Sequence, residues 1–242
     1  MRKFFFLWVF AFSISRLSAD FCDGITSKFL EIGLASTTNR GIERNSILCS
    51  VQGGLESQWI EGIAGFQSYE DCSDFTFKAN GWFPFADWQS EDSRLRLGLG
   101  GIYHFQRYNE ISLEHDYILN FLLRHQNLSG KTISFFCGYA GKAAKIYALE
   151  DYVPWIYDTY PEAGILIDKV WKNGIEAYFE LALNDMYRYP HFCTPHYLFG
   201  TAFNLDSGLR FSSDISIRIA DGYAASPYID SMILRFGVRY TF

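Results

Sequence analysis

Residues 209–219 read Leu-Arg-Phe-Ser-Ser-Asp-Ile-Ser-Ile-Arg-Ile (LRFSSDISIRI). Successive side chains of an extended chain point to opposite faces. Leu209, Phe211, Ile215, Ile217 and Ile219 therefore share one face, and Arg210, Ser212, Asp214, Ser216 and Arg218 share the other. A helix, with its period of 3.6, would mix the oily and charged sets. The division recurs at the C-terminus, where Leu234, Phe236, Val238, Tyr240 and Phe242 alternate with Arg235, Gly237, Arg239 and Thr241. It recurs again at 95–105, where Leu95, Leu97, Leu99, Tyr103 and Phe105 oppose Arg96, Gly98, Gly100, His104 and Gln106.

Outward from these stretches, segments 132–143 and 175–184 alternate in the same way, and weaker matches lie at 28–35, 46–55, 58–68, 74–85, 111–123, 162–171 and 196–205. Together they make about twelve segments, each near the roughly 9–11 residues that a tilted membrane strand needs. Such barrels alternate tight turns with longer loops. Turn chemistry follows the even-numbered segments around Leu55–Ser57, Asn127–Lys131 (NLSGK), Trp171–Gly174 (WKNG) and Asn204–Gly208 (NLDSG), with a longer turn expected at Ala86–Ser93. Longer connections are expected after odd-numbered segments, at Thr37–Asn45, Leu149–Tyr160, Tyr187–Pro195 and Asp221–Asp230, with Arg107–Glu110 a short exception. Phe83, Phe85, Trp171, Phe203, Tyr240 and Phe242 fall at the tight-turn end, and Tyr103, Phe105, Tyr108 and Tyr147 at the other, as two aromatic girdles would. The reading is an all-β, closed, antiparallel transmembrane barrel of about twelve strands, with ten or eight as alternatives. A soluble β-sandwich also alternates, but its core has no need of aromatics at strand ends.

The N-terminus follows a different logic. Arg2 and Lys3 precede an apolar stretch from Phe4 to Ile14, and Leu17, Ser18 and Ala19 precede Asp20. This is the order of a secretory signal, so residues 1–19 are expected to be removed and residues 20–242 to form the barrel. Residues 1–19 hold three of the 21 basic residues and none of the 27 acidic ones, which leaves a net charge of −9. That balance excludes a nucleic-acid partner, which needs a basic footprint.

The last seven residues, Phe236–Phe242 (FGVRYTF), resemble the C-terminal strand of bacterial outer-membrane barrels. The resemblance implies an outer-membrane location, lipid around the barrel, and Tyr240 and Phe242 as part of the signal read by the barrel assembly machinery. In size and strand number the chain resembles small twelve-stranded outer-membrane channels, the group containing nucleoside and acidic-oligosaccharide pores.

With the apolar face toward lipid, the polar face must line the interior, since Arg or Lys at mid-bilayer costs about 2–4 kcal/mol. The basic residues expected inside are Lys78, Arg94, Arg96, Arg124, Lys142, Arg210, Arg218, Arg235 and Arg239. The acidic ones are Glu31, Glu61, Glu114, Asp116, Glu162, Asp168, Glu176, Glu180 and Asp214. Bases concentrate on strands four, five, eleven and twelve, and acids on six, eight and nine, so a basic wall would face an acidic one across a lumen for small polar or charged solutes. The alternatives are a non-conducting structural or surface-interaction barrel filled by paired charges, and an outer-membrane hydrolase. For the hydrolase, Ser112 and His115 point to opposite faces, which leaves His104 beside Glu114 and Asp116 as its possible base. His191, Cys193 and His196 have a metal-like spacing but lack a fourth ligand, so neither metal nor cofactor is expected.

The five cysteines are Cys22, Cys49, Cys72, Cys137 and Cys193. An odd number leaves a thiol free or linked to another chain. Cys72 and Cys193, on loops at one end, are the possible disulfide, and Cys137 is expected to face lipid. Three polar residues, His115, Lys169 and Asp185, also fall on the lipid face; for His115 a slip of register by one residue would be the alternative.

Overall fold

Wherever oily and polar side chains alternate, the backbone is extended and paired with its sequence neighbours. The computed structural model describes residues 25–39, 42–69, 72–108, 112–146, 155–183, 196–221 and 227–242. They form strands β1 (Ile25–Asn39), β2 (Ile42–Ser57), β3 (Ile60–Tyr69), β4 (Cys72–Gln89), β5 (Ser93–Tyr108) and β6 (Ser112–Asn127). The second half contributes β7 (Lys131–Ile146), β8 (Ile156–Val170), β9 (Ile175–Ala182), β10 (His196–Asn204), β11 (Leu209–Asp221) and β12 (Pro227–Thr241). Each strand pairs antiparallel with the next, and β1 pairs with β12 to close the barrel. At the seam Leu30 faces Tyr240, Leu34 faces Phe236, and the Phe242 amide donates to the Lys28 carbonyl at 2.9 Å. Closure removes the free edges that would otherwise leave backbone groups unpaired in hydrocarbon.

The tight turns lie at one end, together with the start of β1 and the end of β12. Three of them share one construction: Gly130, Gly174 and Gly208 have φ of 82°, 81° and 84°. Their amides donate to Asn127, Trp171 and Leu205 carbonyls at 3.0, 3.0 and 3.1 Å. Their own carbonyls accept from Val170, Asn204 and Thr241 at 2.8 Å, tying each turn to the strand end beside it. Glycine is required because its φ lies in the left-handed region and because a Cβ would meet the neighbouring strand's carbonyl.

The strands and one turn differ from the lengths expected from the sequence. Most strands have 15–18 residues rather than 9–11. Supposed loop residues such as Thr37–Asn39 and Ile42–Asn45 belong to β1 and β2, Asn39 pairing with Ile42. Likewise β8 starts at Ile156 and β12 at Pro227, inside the stretches read as loops. Residues 187–195 lie outside those described. The reason is that strands continuing past the hydrocarbon layer carry polar residues on both faces, which erases the alternation. The expected long turn at Ala86–Ser93 is in fact short: β4 runs to Gln89, and the Ser90 amide donates to the Ser93 carbonyl at 2.8 Å. The irregularity lies within β4, where Trp82 pairs with Gly98 but the next described pair is Asp87 with Arg96. Pro84, which has no N–H for a ladder bond, sits in this bulge.

The outer surface is apolar. Ile32, Leu34, Leu99, Leu119, Phe121, Tyr139, Phe199, Phe211, Phe236 and Val238 are all exposed, far more than a water-facing surface of this size carries. Stacked Phe83 and Phe85 (ring centroids 5.3 Å) and paired Tyr240 and Phe242 (5.5 Å) mark the turn-bearing end. Trp171 and Phe203 are exposed at the same end. At the loop-bearing end His115 keeps the register read from the sequence. It faces out, 2.7 Å from the Tyr103 hydroxyl and packed among Tyr103, Phe105 and Trp155 rings. The Lys169 ammonium reaches the turn and donates to the Ser129 carbonyl at 2.5 Å, which takes its charge out of the apolar belt.

Candidate functional site

The inward face of the strands places charge next to charge, and each case is settled by a partner from another strand. Arg96 and Arg124 lie directly opposite one another on β5 and β6, a repulsive pairing if left alone. Both guanidinium groups instead lie over the Trp82 ring, each 4.4 Å from its centroid. Glu61 on β3 completes the cluster: it accepts from Arg124, from Asn80 Nδ2 at 3.2 Å and from Trp82 Nε1 at 3.1 Å. Gly98 makes this possible, since a Cβ there would run into the Trp82 ring. Arg94 pairs with Asp87 beside the cluster.

A second case occupies the opposite wall. Arg210 on β11 and Arg239 on β12 are direct neighbours. Arg210 turns to Glu176 on β9 at 2.6 Å and Arg239 to Glu31 on β1 at 2.6 Å. Asp214 pairs with Arg235 at 3.1 Å and accepts from the Tyr178 hydroxyl at 3.2 Å. Lys142 and Glu114 pair at 2.6 Å between β7 and β6.

The interior is therefore asymmetric. Along β5–β8, Ile118, Ala140 and Tyr160 form a buried apolar cluster with Ile102 against it, and His104, Asp116 and Glu162 are buried nearby. Beside the other strands lies a cavity of about 330 Å³ whose lining includes Glu31, Lys78, Glu180, Arg210, Asp214 and Arg239. A second cavity of about 280 Å³, lined by Asp168, Glu176, Asn204 and Gly208 among others, lies toward the turns. Arg210 and Arg239 line both cavities, so their two ion pairs mark the junction between them.

The barrel fold itself is matched among solved structures. The NanC porin superposes with a TM-score of 0.60 at 11% identity, over 87% of this chain and 98% of that one. The KdgM porin gives 0.52 at 8% identity, over 88% and 99%. The KdgM porin in complex with disordered oligogalacturonate gives 0.52 at 9%, again over 88% and 99%. The chain has the fold of these porins. No protein-family model matches it, and no curated protein sequence does.

Within this porin fold the residues expected inside are found on the inner face wherever their side chains are described. Arg218 keeps a register position opposite His196, but its side chain lies outside what is described. What differs is their arrangement. The bases of β5 and β6 are neutralised by Glu61 and Asp87, and those of β11 and β12 by Glu176, Asp214 and Glu31. The two broad walls of opposite charge are thus largely replaced by local ion pairs. His104 meets a carboxylate as anticipated, its Nδ1 3.2 Å from Asp116 Oδ2, but at 1% exposure it is sealed from any substrate. Ser112 is buried inside while His115 faces out, so they are apart. His196 lies inward, 3.5 Å from the Ser216 hydroxyl, whereas His191 and Cys193 are outside the described residues. Cys72 opens β4 without a described side chain, so its pairing with Cys193 rests on sequence alone. Cys49 and Cys137 are free and exposed on the outer face.

Sequence reasoning missed Trp82 and Tyr178. Both are aromatics on the polar face, and composition alone assigns such residues to lipid. A usable signal was present: each falls in register with polar or charged residues, Trp82 after Lys78 and Asn80, and Tyr178 between Glu176 and Glu180.

Proposed function

We propose that this chain is an outer-membrane channel through which small polar and charged solutes diffuse. The observation that carries the reading is the pair of cavities inside a closed barrel, meeting at the Arg210–Glu176 and Arg239–Glu31 ion pairs. Side chains held by partners on the same wall leave the centre to water, and the charged lining favours polar over apolar solutes. Tyr240 and Phe242 close the last strand on the outer face, where the assembly machinery would read them, and lipid covers the apolar belt.

Planar-bilayer recording tests this reading. The purified, folded protein is expected to give unitary conductance. Replacing Arg210 or Arg239 by Gln uncovers Glu176 or Glu31 at the junction and should shift the reversal potential toward cation selectivity. A heat-modifiable, folded protein without unitary conductance would replace the channel by a structural barrel.

A further inference from the structure

Lys78 and Glu180 stand apart from the other charges that line the larger cavity. Among the described residues lining the larger cavity, Glu31, Arg210, Asp214, Arg235 and Arg239 are all engaged in ion pairs. Lys78 and Glu180 line the same cavity and make no ion pair or hydrogen bond among the described residues. Lys78 lies on β4 and Glu180 on β9, five strands apart one way round the ring and seven the other, hence on nearly opposite walls.

They also lie at about the same depth. From Lys78, the strand register leads through Ile102, Ile118 and Ala140 to Tyr160, which is on the loop side of the Gly164–Ala182 pair. In the other direction it leads through Ile63, Gly54 and Phe29 to Thr241, at the turn end and beyond the level of the Phe203–Ile175 pair. Inter-strand hydrogen bonds run perpendicular to strands that tilt around a barrel, so the two routes climb and descend from the true level. On β9 that level falls between the two endpoints, where Glu180 sits.

Resting on the channel reading, we infer that Lys78 and Glu180 form a selectivity site for small zwitterions, with the solute's carboxylate turned to Lys78 and its ammonium to Glu180. In the larger cavity one unpaired cation facing one unpaired anion sets a field across the lumen while adding no net charge to the lining. A neutral sugar gains no such orientation, and a simple anion or cation is drawn to one wall and repelled by the other. Amino acids and short peptides carry both charges and gain from both walls. The surrounding ion pairs, already satisfied, compete weakly for the solute.

Liposome-swelling rates with the reconstituted full chain test the site, using diglycine as the zwitterion, a neutral sugar of similar size, and monovalent organic anions and cations. Wild type is expected to pass diglycine several-fold faster than the sugar. K78M and E180Q should each remove most of that preference and shift permeability toward cations and anions respectively. The exchange K78E/E180K should restore the zwitterion preference, because a mobile solute can turn round. Heat-modifiable gel mobility checks folding of each variant. Swelling with every solute and no zwitterion preference in wild type, or a preference unchanged in both single variants, overturns the site and leaves the channel standing. No swelling with any solute overturns the channel and the site together.

Discussion

At Glu61 one carboxylate holds three donors from two other strands, with Arg124 reaching it across β4 and β5. Removing one partner of a mostly buried charge pair costs more than the pair contributes, because the remaining charge stays desolvated. Glu61→Gln is therefore expected to lower unfolding free energy by roughly 2–4 kcal/mol, measured by denaturant titration in lipid vesicles with tryptophan fluorescence as the probe. Arg124→Met in the same background should add little, since the two act as one unit. These partners were hard to see in the sequence. Arg124 and Glu61 are 63 residues apart, and no local pattern links two side chains whose strands are not neighbours. Inward orientation was legible at Glu61 and Arg124, but their pairing was not.

Among the elements, the turns were the most legible feature, because a left-handed position selects glycine whatever surrounds it. NLSGK, WKNG and NLDSG all place Gly at that position. Gly174→Ala and Gly208→Ala are expected to cost about 1–2 kcal/mol each from backbone strain alone, and more if the neighbouring carbonyl is displaced. Refolding into vesicles, followed by gel mobility, reads this as a lower midpoint with the barrel retained. The strands were legible only where lipid demands apolar residues. On β6, Leu119 and Phe121 face out while Ile118 and Asn120 face in, and the inward Ile118 blurs the alternation there. Leu119→Arg should lower stability by about 2–4 kcal/mol in a bilayer, whereas Leu198→Arg, on the inner face and lining the larger cavity, should cost clearly less in the same titration.

For the molecule as a whole, closure follows from an even number of antiparallel strands and a last strand that pairs with the first. The number twelve was readable from the alternating segments, with the tight turns as an independent check. The distribution of charge was not, because a count of acids and bases per strand says nothing about which neighbour each side chain reaches. The field expected across the whole lumen survives in reduced form, at Lys78 and Glu180. All of this depends on the apolar set facing lipid and the charged set facing a wet interior. Spin labels placed one at a time at positions 210–217 of β11 in reconstituted bilayers measure that directly. Labels at 211, 213, 215 and 217 should collide mainly with dissolved oxygen, and those at 210, 212, 214 and 216 mainly with a water-soluble nickel chelate. The same accessibility at every position, or the alternation with its phase reversed, would contradict the account.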